Sequence, residues 1–101
     1  MQIAKVRGTV VSTHKDPSLR GSKFLLLQLL DEEGNPSLEY EVAADAVGAG
    51  VGEWVLVTRG SAARQISGMD GRPIDALIVA IIDTVTVDNN CSIYNKKDED
   101  R

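Results

Sequence analysis

FLLLQLLDEEGNPSLEYEVAA, residues 24–44, reads as two strands and the turn between them. FLLLQLL (24–30) is a short apolar run. DEEGNP (31–36) closes it with a turn signature, and the spacing predicts a hairpin into LEYEVAA (38–44). Working outward, IAKVRGTVVST (3–13) alternates, with Ala4, Val6, Gly8 and Val10 on one face and Lys5, Arg7 and Thr9 on the other. That pattern predicts a half-buried strand. HKDPSLRG (14–21) reads as a loop. Downstream, DAVGAGVG (45–52) is a small-residue loop and EWVLVT (53–58) a strand. GSAARQI (60–66) suits one or two helical turns with Ser61 as N-cap. SGMDGRP (67–73) is a loop, and DALIVAIIDTVTV (75–87), rich in β-branched residues, predicts one long strand. Five strands, short loops and one short helix predict an all-β fold, a small five-stranded OB-like barrel. Residues 1–95 form the expected domain and 96–101 a charged, mobile tail.

A chain of 101 residues supports one modest core. Its formal net charge of -4 argues against a partner dominated by phosphates, which favours a basic surface. Aromatics are limited to Phe24, Tyr40, Trp54 and Tyr94, little material for stacking bases. Nucleic acid is therefore not an expected partner. Cys91 is the only cysteine, so no internal disulfide can form. Lys5 and Arg7 interrupt the start before any signal-peptide apolar region. No apolar run reaches the roughly 20 residues of a membrane-spanning helix, so no membrane partner is expected either.

Two runs depart from the alternation expected of a sheet with one wet face. In ALIVAII, Leu77, Val79 and Ile81 face one way while Ala76, Ile78, Ala80 and Ile82 face the other; FLLLQLL is likewise apolar on both sides. A small barrel has one interior. The second face either packs on another copy of the chain or lies under the short helix and loops.

No constellation for catalysis emerges. Gly48-x-Gly50-x-Gly52 lacks the strand-before, helix-after setting of a dinucleotide loop, so its glycines serve turns or close backbone contacts. His14 stands in a polar loop with no orienting partner. Asp75 and Asp83 would lie about 26 Å apart in an extended strand, too far for paired acid–base work. GSAAR is not the G-x-S-x-G of a nucleophile elbow. Arg64 and Arg72 are candidates to fix the loop after the fourth strand through a carboxylate, Asp75 or Asp83. No enzyme activity, metal or cofactor is expected.

Three blocks carry a resemblance. D-x-V-G-A-G-x-G-E-x-V-L-V (Asp45–Val57), G-S-A-A-R (Gly60–Arg64) and D-A-L-I-V-A-I-I-D (Asp75–Asp83) occur in order, after A-K-V-R-G-T-V-V-S-T (Ala4–Thr13). Together they resemble the EutN/CcmL family of bacterial microcompartment vertex proteins over residues 1 to about 95. The tail pattern Ser92-x-Tyr94-Asn95-Lys96 resembles its carboxysomal branch. The resemblance implies an OB-like barrel that assembles as a homopentamer and caps the vertices of a polyhedral shell built from hexameric shell proteins. In a carboxysome, in the bacterial cytoplasm, that shell confines carbon dioxide around ribulose bisphosphate carboxylase, so the implied role is structural closure in carbon dioxide fixation. A vertex protein of another microcompartment, or a free OB-fold binder of nucleic acid, are the alternatives. Five copies of one loop must meet at a five-fold axis. Gly60, Ser61 and Ala62 are small enough to line a pore there. Five helix starts aimed at the axis would favour a small anion such as bicarbonate or sulfate. Gly48, Gly50, Arg64, Asp75 and Asp83 are then expected at the subunit interface or fixing the loops.

Overall fold

The structure is a computed structural model that describes residues 1–12, 17, 21–60, 63, 75–88 and 91–99. Five strands close a barrel in the order β1-β2-β3-β5-β4. They are β1 (Gln2–Val10), β2 (Phe24–Leu30), β3 (Pro36–Asp45), β4 (Trp54–Arg59) and β5 (Ala76–Ile81). A two-stranded sheet of β6 (Thr84–Val87) and β7 (Cys91–Asn95) follows, and one helical turn, α1 (Lys96–Glu99), comes last.

The hairpin at residues 24–44 forms as the turn chemistry dictates. Asp31 Oδ1 accepts the backbone N–H groups of Glu33 and Asn35, each at 2.9 Å. Gly34 supplies a φ of 83°, a left-handed conformation that side chains resist. Leu25, Leu27 and Leu29 then point into the barrel. They meet Ala4 and Val6 of β1, Ala43 of β3, Val55 and Val57 of β4, and Ala76 and Ile78 of β5. Leucine, valine and isoleucine supply the bulk of this core, and Ala4, Ala43 and Ala76 complete it.

Two expectations are corrected. The long strand at 75–87 is two strands. The chain leaves the barrel at Ile82, whose N–H donates to Trp54 O at 2.8 Å, and turns at Asp83 into β6. The single alternation assigned to β1 does not hold either. A register shift between Val6 and Gly8 inserts one residue, which moves the following side chains to the other face. Ala4 and Val6 are buried, but Gly8 and Val10 pair with the outward residues Leu26 and Phe24. The C-terminal segment begins with α1, and Lys96 Nζ lies 2.7 Å from Glu53 Oε2.

Barrel closure is uneven. β4 and β5 pair along β5's whole length, from Ala76 to Ile81. β3 and β5 run parallel and pair only at Ala44–Leu77 and Asp45–Ile78. Residues 36–43 of β3 therefore have no strand on that side among the described residues. The Arg59–Glu41 ion pair reaches across the gap from the end of β4.

The hairpin β6–β7 covers one flank of the barrel. Trp54 and Tyr94 stack with ring centroids 4.2 Å apart and planes 13° apart. Ile82 joins them, with Ile3, Leu30, Leu56 and Val85 packed around. Gly34 presses on the same cluster: a Cβ there would sit 2.8 Å from Trp54 Cη2 and 3.4 Å from Ile93 Cδ1.

Candidate functional site: small-residue loops and the bare flank

The loop after β3 is organised by one carboxylate. Asp45 is 1% exposed in its side chain. Its Oδ1 accepts the N–H groups of Val47 (3.0 Å) and Gly48 (3.1 Å), and its Oδ2 that of Ala49 (2.9 Å). Three donors converging on a buried carboxylate satisfy it without a counter-ion in contact; Lys23 Nζ stands 4.0 Å away. The wrapped loop pushes Ala49 into the barrel core.

Glu53 closes the loop's other end. Its Oε1 accepts Gly50 N–H at 2.6 Å, while Lys96 Nζ sits on Oε2. The Lys96 ammonium, and secondarily the Gly50 N–H, hold the Glu53 carboxyl below its ordinary range, against a smaller opposing effect of burial. Gly52 N–H donates to Val6 O and Val6 N–H to Glu53 O, tying the loop to β1. Gly48 and Gly50 are thus bonded to carboxylates of their own chain.

The second small-residue loop begins at Gly60, which has a φ of 64° and donates its N–H to Asp75 O at 2.8 Å. Ala63 N–H bonds back to Gly60 O at 3.1 Å. Ala63 is buried against Ala44 and Leu77, with Phe24 and Val79 beside them. Gly60 and Ala63 therefore lie at the barrel end where β3 meets β5. Ser61, Ala62 and Arg64, and likewise His14 and Arg72, lie outside the described residues. Asp75 and Asp83 are both exposed at opposite ends of β5, and the backbone oxygen of Asp83 accepts Lys96 N–H at 2.8 Å.

The second apolar face has a divided fate. On β5, Leu77 is fully buried under Ala63, so the loop covers it, while Val79 and Ala80 stay half-buried. Ile81, expected on the same face as Leu77, instead packs on the barrel core with Ile78, because the register shifts between Leu56 and Val57. On β2, the outward Phe24, Leu26 and Leu30 are half-buried. Beside them on β3, Leu38, Tyr40 and Val42 alternate on the outer side at 98%, 56% and 48% exposure. Leu26 pairs with Val42 and Gln28 with Tyr40, so these residues make one continuous face. Sequence reading missed this stripe on β3. Its signal was present, because Leu38, Tyr40 and Val42 alternate with Glu39 and Glu41.

Among the described residues no three His, Cys, Asp or Glu side chains gather as a metal site, and no helix is long and apolar enough to cross a membrane. The site offers close-packed backbone and bare apolar surface.

The family profile described as ethanolamine utilisation protein EutN/carboxysome matches residues 1–83. The chain belongs to the EutN/CcmL family. Its match ends at Asp83, where the chain leaves the barrel for β6. Within the EutN/CcmL family the chain is 69% identical over 102 residues to the carboxysome shell vertex protein CcmL of a Nostoc species, covering all of both chains. The solved structure of Gloeobacter violaceus CcmL is 64% identical and superposes with a TM-score of 0.92, over 96% of this chain and 99% of that one. The GrpN pentameric microcompartment shell protein from Rhodospirillum rubrum is 47% identical, with a TM-score of 0.79 over 86% of this chain and 99% of its own.

Proposed function

We propose that this chain is a structural vertex protein of the carboxysome shell, located in that shell within the bacterial cytoplasm. Five copies form a ring of roughly 55 kDa that closes a five-fold point in the shell, and the protein catalyses no reaction. The observation that carries the reading is the full-length match to a carboxysome shell vertex protein. The carboxysomal assignment over another microcompartment rests on that identity being well above the 47% to GrpN. The pentameric state of GrpN and the apolar outer face of β2 and β3 support the ring, because an exposed stripe of this kind marks an interface.

Closure is a geometric task. A sheet of hexagonal units is flat, and five-fold units supply the curvature that seals it. The facet partners in this reading are hexameric shell proteins. Gly60, Ser61 and Ala62 line the pore on the five-fold axis, where small side chains let five backbones converge, and a small anion occupies its mouth. Arg64, Asp75 and Asp83, with Gly48 and Gly50, support the loops or the contact between copies.

Deleting the gene in its host tests the reading. Facet sheets and encapsulated cargo should persist, but electron microscopy should show elongated or open bodies, and growth should require added carbon dioxide. Normal polyhedra in the deletion strain would overturn it.

A further inference from the structure

We propose that the cavity between β7, α1 and Trp54 binds the guanidinium of an arginine side chain presented by a different protein of the shell. The inference rests on the shell reading above only for the bearer of that arginine. The chemistry of the cavity stands on its own residues.

The cavity measures about 320 Å³ and is lined by Trp54, Ser92, Ile93, Tyr94, Asn95 and Asp98. That volume lies at the small end of ligand sites, room for one long side chain rather than a cofactor. Its walls divide by chemistry. The stacked Trp54 and Tyr94, with Ile93, supply aromatic and apolar surface. Ser92, Asn95 and Asp98 supply oxygens. Asn95 Oδ1 accepts Lys97 N–H at 3.0 Å, Ser92 Oγ donates to Tyr94 O at 3.1 Å, and both oxygens keep a lone pair. Asp98 is exposed, and its carboxylate has no ion pair or hydrogen bond among the described residues. The nearby lysines do not answer it. Lys96 sits on Glu53, and Lys96 and Lys97 line a separate pocket with Asp83 and Thr84. The cavity therefore joins an aromatic wall to an unanswered negative charge.

That combination selects a flat cation. A guanidinium stacks on aromatic surface, forks onto a carboxylate, and carries an apolar stem that can cover Ile93. A lysine ammonium brings the charge without the fork. An anion would meet Asp98. Free arginine would bring its own α-carboxylate, and no lysine or arginine lines the cavity among the described residues to receive it. An arginine held in a protein chain has no such carboxylate.

Trp54 is the only tryptophan, so its fluorescence reads the cavity directly. The full-length protein is titrated with N-acetyl-arginine amide, the lysine analogue and the neutral citrulline analogue. The arginine compound should shift the emission saturably, the lysine compound should bind more weakly, and citrulline should have no effect. Asp98→Asn should weaken the arginine response roughly threefold or more, as loss of an exposed ion pair does, while Glu32→Gln, exposed elsewhere, should not. An equal response to the citrulline or lysine compound, or to arginine in Asp98→Asn, overturns the guanidinium site. The partner is tested in the host. Asp98→Asn should stay pentameric in native mass spectra, yet its amount in purified shells should fall about twofold or more. A lost pentamer would make the cavity part of the ring contact, and unchanged shell content would remove the partner; either result overturns the proposal. Absence of the wild-type protein from purified shells overturns the shell reading instead, and with it the bearer named here.

Discussion

Asp45 anchors the glycine-rich loop through three backbone donors, so the loop's shape depends on one acceptor set. Asp45→Asn replaces one carboxylate oxygen by an N–H₂ group. That group cannot accept a bond, and the N–H facing it is left unpaired in a buried place. The expected loss is about 1–3 kcal/mol in denaturant unfolding, larger than for a surface aspartate such as Asp88. Gly34 gives the second residue-scale prediction. Gly34→Ala adds a Cβ at a φ of 83° and within 2.8 Å of Trp54. Strain and clash together should cost about 1–3 kcal/mol, read as a fall in Tm. The turn role of Gly34 was legible in the sequence, since glycine in DEEGNP signals a turn. Its contact with Trp54 was not, because the two residues meet only through the fold. Asp45 was partly legible: an acid followed by a valine and glycine can accept their N–H groups, yet nothing local shows that the carboxylate is buried.

At the scale of elements, the hairpin β6–β7 is held by the Trp54–Tyr94 stack and by the Lys96–Glu53 pair. Trp54 is the only tryptophan, so its fluorescence reports the docking. Tyr94→Ala should shift its emission to the red and cost about 3–5 kcal/mol, as other large aromatic truncations do. Acid should act on the same element. The folded Glu53 carboxyl titrates below its ordinary 4.5, so the pair adds stability above that value and loses it as pH falls through the lowered one. The pair is partly exposed, and its worth is at most about 1 kcal/mol. Proteolytic release of the C-terminal segment should therefore rise in that acid window, and Lys96→Met should raise it at neutral pH and flatten the pH dependence. The separate hairpin was not legible. ALIVAIIDTVTV is continuously apolar and β-branched, and the break at Ile82 is set by its bond to Trp54 and its burial beside Tyr94. The bulge in β1 was hidden for a similar reason, because Gly8 and Val10 continue an alternation that the register shift reverses.

For the whole molecule, the closed five-stranded barrel was legible because each strand carried its own pattern and each turn its own chemistry. The two-sided apolar runs also pointed outward to a partner, although the chain itself covers part of that surface through Ala63. The ring reading predicts a native mass spectrum dominated by a species of roughly 55 kDa, unaffected by nuclease and insensitive to single-stranded DNA. The short parallel seam between β3 and β5 has a kinetic consequence. Antiparallel neighbours β2 and β3 can zip from their turn, whereas Ala44 finds Leu77 only after the intervening chain has closed a long loop. The seam offers just two residue pairs in return. Barrel closure is therefore the late step of folding, and until it occurs the newly made chain carries two open strand edges, at its most prone to aggregate when synthesis outruns closure.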